Sequence, residues 1–505
     1  MELRMTSRRI VLSVLALVFV ITLSYAPAFR AGFIWDDDDH LTHNPAVAAS
    51  GGLRLIWSSL TISRYYPLTL TTFWVERHLW GLAPLPYHAA NIALHALNTI
   101  LLYALLRKLN VRGAWLAAAL WGVHPVNVES VAWVTELKNT QSGFFFLSCL
   151  LCYLQYEERY ESWWWFAAAN VLFAAALLSK PSTVFLPVAL LLYVWWQRGR
   201  QPRSDRGWQR EDFFRLSPFA GMAYLMSMLT IIEQQHLVQK EGPADWSLRL
   251  IDRFVVAGHA LWFYAGKLLC PWNLAFVYPR WQIDANTVTA WLPWLAMLVI
   301  VVACWTLRRH LWAKAFTFGA GYYALALSPV LGFANVYYFR YSFVADHFAY
   351  LAGMGFIALV VAGFASVVKQ RPIQVLASVI ALGILGMQTW VHCEVFHDNE
   401  TLWLDTLQKN PTSALAHNNL GNLYQHHGQL PLALDHLQEA ARLAPGYAET
   451  HNNLGVVFAQ SGRTDEAIAQ FSEAVRLRPS YSDARTNLLH ALAEQANQLR
   501  PAPSP

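Results

Sequence analysis

Long apolar runs recur along the first three quarters of this 505-residue chain, at 10–27, 87–109, 112–123, 143–156, 163–178, 182–197, 217–235, 288–307, 312–330, 346–367 and 373–391. Many approach or reach the roughly 17–25 residues that carry one helix across a bilayer. Inside lipid a backbone must satisfy its own hydrogen bonds, so runs of this kind fold as helices. Only 14% of the residues are charged, against about 25% in a soluble domain. The expectation is an all-α, polytopic membrane bundle. Segments 62–75 and 254–270 are ambiguous between spans and interfacial or re-entrant helices. The run at 112–123 is short and reads as tilted or broken. Arg4, Arg8 and Arg9 precede the first run, which reads as a retained first helix rather than a signal peptide. Cys149 and Cys152 lie within an apolar run and read as packing residues; Cys270, Cys304 and Cys393 are isolated.

Basic residues set the sides. They cluster at Arg107, Lys108 and Arg112; at Arg198, Arg200, Arg203, Arg206, Arg210 and Arg215; at Arg308 and Arg309; and at Lys369 and Arg371. If the eleven runs span and the ambiguous two do not, all these clusters share the side of the N-terminal arginines. That is the positive-inside pattern. It places the loop after the first run, the 124–142 loop, the 236–285 region and the tail after 391 outside the cytoplasm. The net charge of +5 is dispersed among these loops, so nucleic acid is not an expected partner.

The tail has a different grammar. Pro411, Pro445 and Pro479 are spaced by 34 residues, as are Leu420, Leu454 and Leu488. Asn419-Leu420-Gly421 returns as Asn453-Leu454-Gly455, and Ala433 and Ala440 return as Ala467 and Ala474. This period resembles the tetratricopeptide repeat, a stack of helix pairs. Two units fall at 413–446 and 447–480. A preceding second helix with Trp403 is expected at 395–411 and a closing helix at 481–498. Gly421 and Gly455 would let partner helices approach, and proline would end each second helix. So short an array needs a neighbour to bury its ends, which the membrane domain would supply. The division expected is a membrane domain at 1–391 and a repeat domain at 392–498. The array reads as a groove for a protein or peptide, or as a spacer.

Polar motifs from distant parts of the chain converge on the outer side. They are Trp35-Asp36-Asp37-Asp38-Asp39-His40 with Asn44-Pro45; Tyr65-Tyr66-Pro67; His124-Pro125-Val126-Asn127-Val128-Glu129-Ser130 with Glu136 and Lys138; Ser179-Lys180-Pro181; and Arg340-Tyr341 with Asp346-His347 and Tyr350. Carboxylates beside a membrane are costly and commonly functional.

The runs W-D-D-D-D-H-L-T-H-N-P, H-P-V-N-V-E-S-V-A-W-V, L-S-K-P and A-D-H-F-A-Y-L, followed by the repeats, resemble one family. It is that of the bacterial relatives of the transmembrane-and-tetratricopeptide-repeat O-mannosyltransferases, within the GT-C superfamily of membrane glycosyltransferases. The resemblance covers essentially the whole chain. It implies a polyprenyl-phosphate-linked sugar as donor and a protein hydroxyl as acceptor. It also implies an extracytoplasmic active site and catalysis by an acidic pair, which falls here on Asp36 and Asp37. The implied place is a bacterial inner membrane, with the repeats on the periplasmic side. Thr135-Glu136-Leu137-Lys138-Asn139 stands where the family has alanine-glutamate-arginine-lysine-aspartate, and Asp346-His347-Phe348 where Asp-Arg-Tyr is usual.

Transfer from a lipid phosphate needs a base for the acceptor hydroxyl and cations for the leaving phosphate. Asp36 is the first choice of base and Asp37 the second. Lys180, Arg340 and His347 are candidate phosphate ligands, and Tyr341 and Tyr350 candidate lining residues. His124 and Glu129 would orient the phosphate or shape the loop. Asp37, Asp39 and His124 could instead hold Mg or Mn through hard oxygen and imidazole ligands; otherwise the acidic run is a solvated or capping turn. His88 and His95 read as buried structural histidines. A single carboxylate beside the acceptor predicts inversion. Two alternatives stand: a lipid or cell-envelope polysaccharide acceptor, and a non-enzymatic scaffold for envelope or pilus assembly.

Overall fold

A computed structural model describes residues 7–58, 66–158, 162–198, 208–240, 248–334 and 336–498. Arg4, Tyr65, Arg200, Arg203 and Arg206 lie outside these residues. The chain is all-α. The membrane part is built from α1 (Ser7–Ser24), α2 (Pro67–Trp80), α3 (Pro84–Lys108), α4 (Ala114–Gly122), α5 (Leu137–Glu158), α6 (Trp163–Ser179), α7 (Leu186–Arg198), α8 (Arg210–Lys240), α9 (Leu250–Leu269), α10 (Leu292–Thr306), α11 (Leu311–Leu327), α12 (Tyr350–Val367) and α13 (Arg371–Cys393). Each of the eleven apolar runs lies in a helix. Among the described residues six helical segments are long and apolar enough to cross a membrane: 7–24, 84–108, 210–236, 288–306, 346–367 and 371–396. Most of the surface of α10 and α13 is not buried within the chain, and the side chains they expose include Leu295, Val299, Val301, Leu376, Val379 and Ile384. Surface of this kind is stable against lipid rather than water.

Proline opens several helices. Pro67 and Pro84 occupy the first position of α2 and α3, where a missing N–H costs nothing. Pro181, two residues past the end of α6, cannot continue that helix and leaves Lys180 extended at φ −155°. Helix α4 packs between α3 and α12 because its facing residues are small. A Cβ on Gly122 would come within 2.9 Å of the Thr99 hydroxyl.

After α4 the chain runs from His124 to Glu136 through short buried helical pieces, an α-helical turn at Val128–Ala132 flanked by 3-10 turns at Pro125–Asn127 and Val134–Glu136. Helix α5 then starts at Leu137, well ahead of the apolar run expected at 143. Its first turns are polar, with Lys138, Asn139, Thr140, Gln141 and Ser142 all buried. They face protein partners rather than lipid, and so carry no apolar signal.

The tail forms α14 (Asn399–Lys409), then the pairs α15 (Ala414–His426) with α16 (Leu430–Leu443) and α17 (Ala448–Gln460) with α18 (Thr464–Leu477), then a closing α19 (Ser482–Gln498). A Cβ at Gly421 would sit 2.5 Å from Leu437, and one at Gly455 2.5 Å from Phe471. Glycine is therefore what lets each pair close. Ala433, Ala440, Ala467 and Ala474 are fully buried. The bundle closes the first end of the array: Lys409 donates to the Leu274 carbonyl (2.7 Å) and Asn410 to that of Val277 (3.1 Å).

Candidate active site

The acidic run is split by one backbone feature. Trp35 has φ 41°, a left-handed conformation that costs an L-residue about 1–2 kcal/mol. The turn points Trp35 and Asp36 into a cavity of about 550 Å³. Asp37 points the other way and is fully buried. Its Oδ2 accepts the Ile34 N–H (2.9 Å), and its Oδ1 accepts the Thr135 N–H (2.7 Å) and hydroxyl (2.6 Å). Burial pushes this carboxyl up to about 7, against the three hydrogen bonds that favour its ionised form. Asp37 thus ties the first loop to the 124–136 segment. Asp38 and Asp39 are exposed; Asp38 accepts the Thr42 hydroxyl at 2.6 Å.

Opposite Asp36 stands a charge cluster from two elements. Glu136 lies 2.7 Å from Lys138 and 3.1 Å from Lys180, all three nearly or fully buried. Lys180 also donates to Asn139 Oδ1 (2.7 Å), and Asn139 donates to Glu136 Oε2 (2.6 Å). Burial alone would raise the Glu136 carboxyl, but the two lysines outweigh it and hold Glu136 well below the usual carboxylate range. Burial lowers Lys180 to about 8, although Glu136 favours its charge. The Lys138 ammonium lies over the Tyr66 and Trp133 rings at 5.7 and 5.5 Å. Two lysines share one carboxylate, so the cluster carries one net positive charge.

His347 completes the lining. Its Nδ1 lies 2.7 Å from Glu129 Oε1, and its N–H donates to Glu129 Oε2 (3.0 Å). That pairing engages Nδ1, and the ring lines the cavity. Glu129 therefore supports His347 from behind. Tyr337, Tyr338, Tyr341 and Gln234 form the remaining wall with Tyr66 and Trp133. A separate apolar groove of about 940 Å³ lies between α3, α5, α7, α11 and α12.

The structure thus gathers Asp36, Lys180, His347 and Tyr341 around one cavity, with Glu129 and Asp37 behind. Three candidates lie away from that cavity. Arg340 faces the repeats: its guanidinium lies 3.8 Å from the Tyr447 ring and 3.8 Å from Glu449. Tyr350 is interior, its hydroxyl 2.9 Å from His95 Nδ1 and 3.0 Å from Asn98 Nδ2. His124 is buried, with Nε2 3.1 Å from the Leu268 carbonyl and Nδ1 accepting the Val126 N–H. Asp37, Asp39 and His124 do not meet as a cation site, and the described residues contain no group of three or more His, Cys, Asp or Glu placed to hold a metal. His88 and His95 are buried and face the carbonyls of Gly32 and Gly122. The phosphate-ligand reading passed over Lys138. Its signal was the Glu-x-Lys spacing in a loop whose neighbours are hydrophobic.

Residues 79–208 match the family model described as dolichyl-phosphate-mannose-protein mannosyltransferase, and residues 411–480 match the tetratricopeptide repeat. The chain is similar to the protein O-mannosyl-transferases. It is 23% identical over 458 residues to protein O-mannosyl-transferase F38B6.6 of Caenorhabditis elegans, covering 86% of this chain and 63% of that one. It is 25% identical over 467 residues to protein O-mannosyl-transferase TMTC4 of Homo sapiens, covering 80% and 62%. The chain therefore spans somewhat less than two thirds of these relatives. The oligosaccharyltransferase of Archaeoglobus fulgidus, solved with a tethered acceptor peptide, covers 80% of this chain and 57% of its own at 12% identity, with a TM-score of 0.42. That likeness is too loose to bear on function.

Proposed function

We propose that the chain transfers a sugar from a polyprenyl-phosphate donor to a hydroxyl of a protein, with inversion at the anomeric carbon. The observation that carries this reading is one carboxylate, Asp36, facing a buried lysine pair across one cavity. Asp36 takes the proton of the acceptor hydroxyl. The acceptor oxygen forms its bond to the anomeric carbon as the bond to phosphate breaks, and the lipid phosphate leaves with the electron pair. A phosphodiester carries one negative charge, which the single net charge of the lysine cluster matches. The second charge that develops on departure falls between Lys138 and Lys180, with His347 at hand. Glu136 is held between two lysines and Asn139, so it is not placed to act as a nucleophile. That favours direct displacement over a retaining mechanism.

The apolar groove suits an isoprenoid tail by its lining alone. The array beside the cavity suits a protein acceptor held near the site. Both cavity and repeats belong, on this reading, to the extracytoplasmic face, with the membrane domain ending near residue 391. The relatives reported above are eukaryotic, so placement in a bacterial inner membrane rests on the resemblance of the sequence alone.

The deciding experiment offers the purified chain dolichyl-phosphate-mannose as the probe donor and an envelope-protein fraction as acceptor. Labelled product is read with its anomeric configuration. Inverted, protein-linked sugar is expected. A product retaining the donor configuration would overturn the mechanism, and label in lipid or polysaccharide instead of protein would overturn the acceptor class.

The lysine cluster has a pH signature. Folded Lys180 loses its proton near 8, whereas the unfolded chain keeps it to about 10.5. Between those values the unfolded state binds more protons, so this group makes stability rise with pH. Donor affinity moves the opposite way, because the cation is lost. KM for the donor should therefore climb from pH 7 to 9.5. Lys180→Arg, which stays charged, should flatten that limb. An unchanged slope in the variant would remove Lys180 from the phosphate site.

A further inference from the structure

The loop that carries Asp36 is held from the repeat side as well as from the membrane side. The left-handed Trp35 donates its N–H to Asn399 Oδ1 (2.9 Å). Gly32 donates its N–H to the His397 carbonyl (2.8 Å). Asn399 is the first residue of α14, and the helix start is already capped by Asp398, whose Oδ1 accepts the Thr401 N–H at 2.8 Å. Asn399 therefore has no capping duty, and its side chain crosses to the other domain. Trp403, one turn along α14, presses edge-on against the Trp35 ring at 5.7 Å, while Trp133 stacks on that ring at 5.5 Å.

A bulky residue seldom adopts positive φ unless its surroundings over-determine it. The N–H of Trp35 is where that determination enters. One residue later the chain delivers Asp36 to the cavity, and two residues later Asp37 to the wall. The bond to Asn399 pins the peptide plane ahead of Trp35; without it that plane is released, and rotation about the Trp35 N–Cα bond would carry Asp36 out of its place in the cavity.

We propose that Asn399 is a positioning residue: from the repeat domain it fixes the Trp35 backbone and so aims Asp36 at the reacting centre. That Asp36 acts there rests on the function proposed above. The hold on the loop does not.

The test uses the full chain in nanodiscs and compares Asn399→Leu, Asn399→Asp and Asn410→Ala. Hydrogen exchange is read on peptides covering 33–38, and transfer from dolichyl-phosphate-mannose is measured in parallel. Asn399→Leu should speed exchange at the Trp35 amide by about threefold to tenfold, the worth of one hydrogen bond. It should lower kcat by about tenfold to a hundredfold, the cost of a misplaced group, and leave donor KM within about threefold of wild type on the same ground. Asn399→Asp keeps an acceptor oxygen and should restore both readings. Asn410→Ala removes a bond of the same kind elsewhere in the domain contact and should leave the loop as in wild type. Unchanged exchange in Asn399→Leu overturns the proposal whatever the activity does. Equal exchange in Asn410→Ala overturns it too, because undocking rather than Asn399 would then govern the loop. If wild type transfers no sugar, the functional reading fails, and the exchange comparison still decides whether Asn399 sets the loop.

Discussion

Asp36→Asn should lower transfer by about 10²- to 10⁴-fold, the usual worth of a positioned general base, and change stability by less than about 1 kcal/mol. The contrast with its neighbour makes this prediction sharp. Asp37 accepts from two backbone N–H groups and one hydroxyl, with both oxygens in use. In Asp37→Asn one oxygen becomes an NH₂ that must face a donor. A buried donor without an acceptor costs about 1–3 kcal/mol, so that variant should unfold at lower temperature and lose activity as a consequence. Thermal unfolding of both variants, alongside turnover per folded molecule, separates the roles. An Asp36→Asn protein of full activity would end the base assignment.

Glu136→Gln should carry the larger stability cost, about 3–5 kcal/mol, because it strands the buried charges of Lys138 and Lys180. Lys180→Met keeps the Glu136–Lys138 pair at 2.7 Å and should cost less. The pH dependence follows from the depressed carboxyl. The contribution of Glu136 is complete above its unfolded value of 4.5 and is lost as pH falls below it. Thermal midpoints of the wild type and the two variants at about pH 6 and about pH 3, on either side of that unfolded value, test this. A cost for Glu136→Gln under about 1 kcal/mol, the value of a solvated pair, would mean that water fills the cluster. The cavity would then lack the low dielectric that phosphate stabilisation requires.

Much of the fold was legible because its signals are local and periodic. The apolar runs mark helices, and the 34-residue recurrence of Leu420 and Leu454 marks the stacked pairs. Gly421 and Gly455 stand where partner side chains come too near for a Cβ. The start of α5 was not legible, since its first turns are polar and find partners inside the protein. Motif position singled out Asp36, Lys180 and His347, which line one cavity, and Glu129, which pairs with His347. The place of Arg340 was not legible for a physical reason: a guanidinium near an outer loop suits phosphate or an aromatic ring equally, and the ring it covers is Tyr447, more than a hundred residues away along the chain.

The sequence by itself therefore determined the class of the molecule: an all-α membrane bundle with a helical repeat tail, and an acidic loop beside it. Hydrophobic length and repeat register are properties of the chain in one dimension. The tertiary structure alone decided which aspartate faces the cavity, which cations face it, and what holds the loop. Those choices depend on a single left-handed residue, Trp35, and on partners such as Thr135 and Asn399, 98 and 364 residues away in sequence from Asp37 and Trp35 respectively. No local pattern encodes a contact at that separation; only packing brings it about.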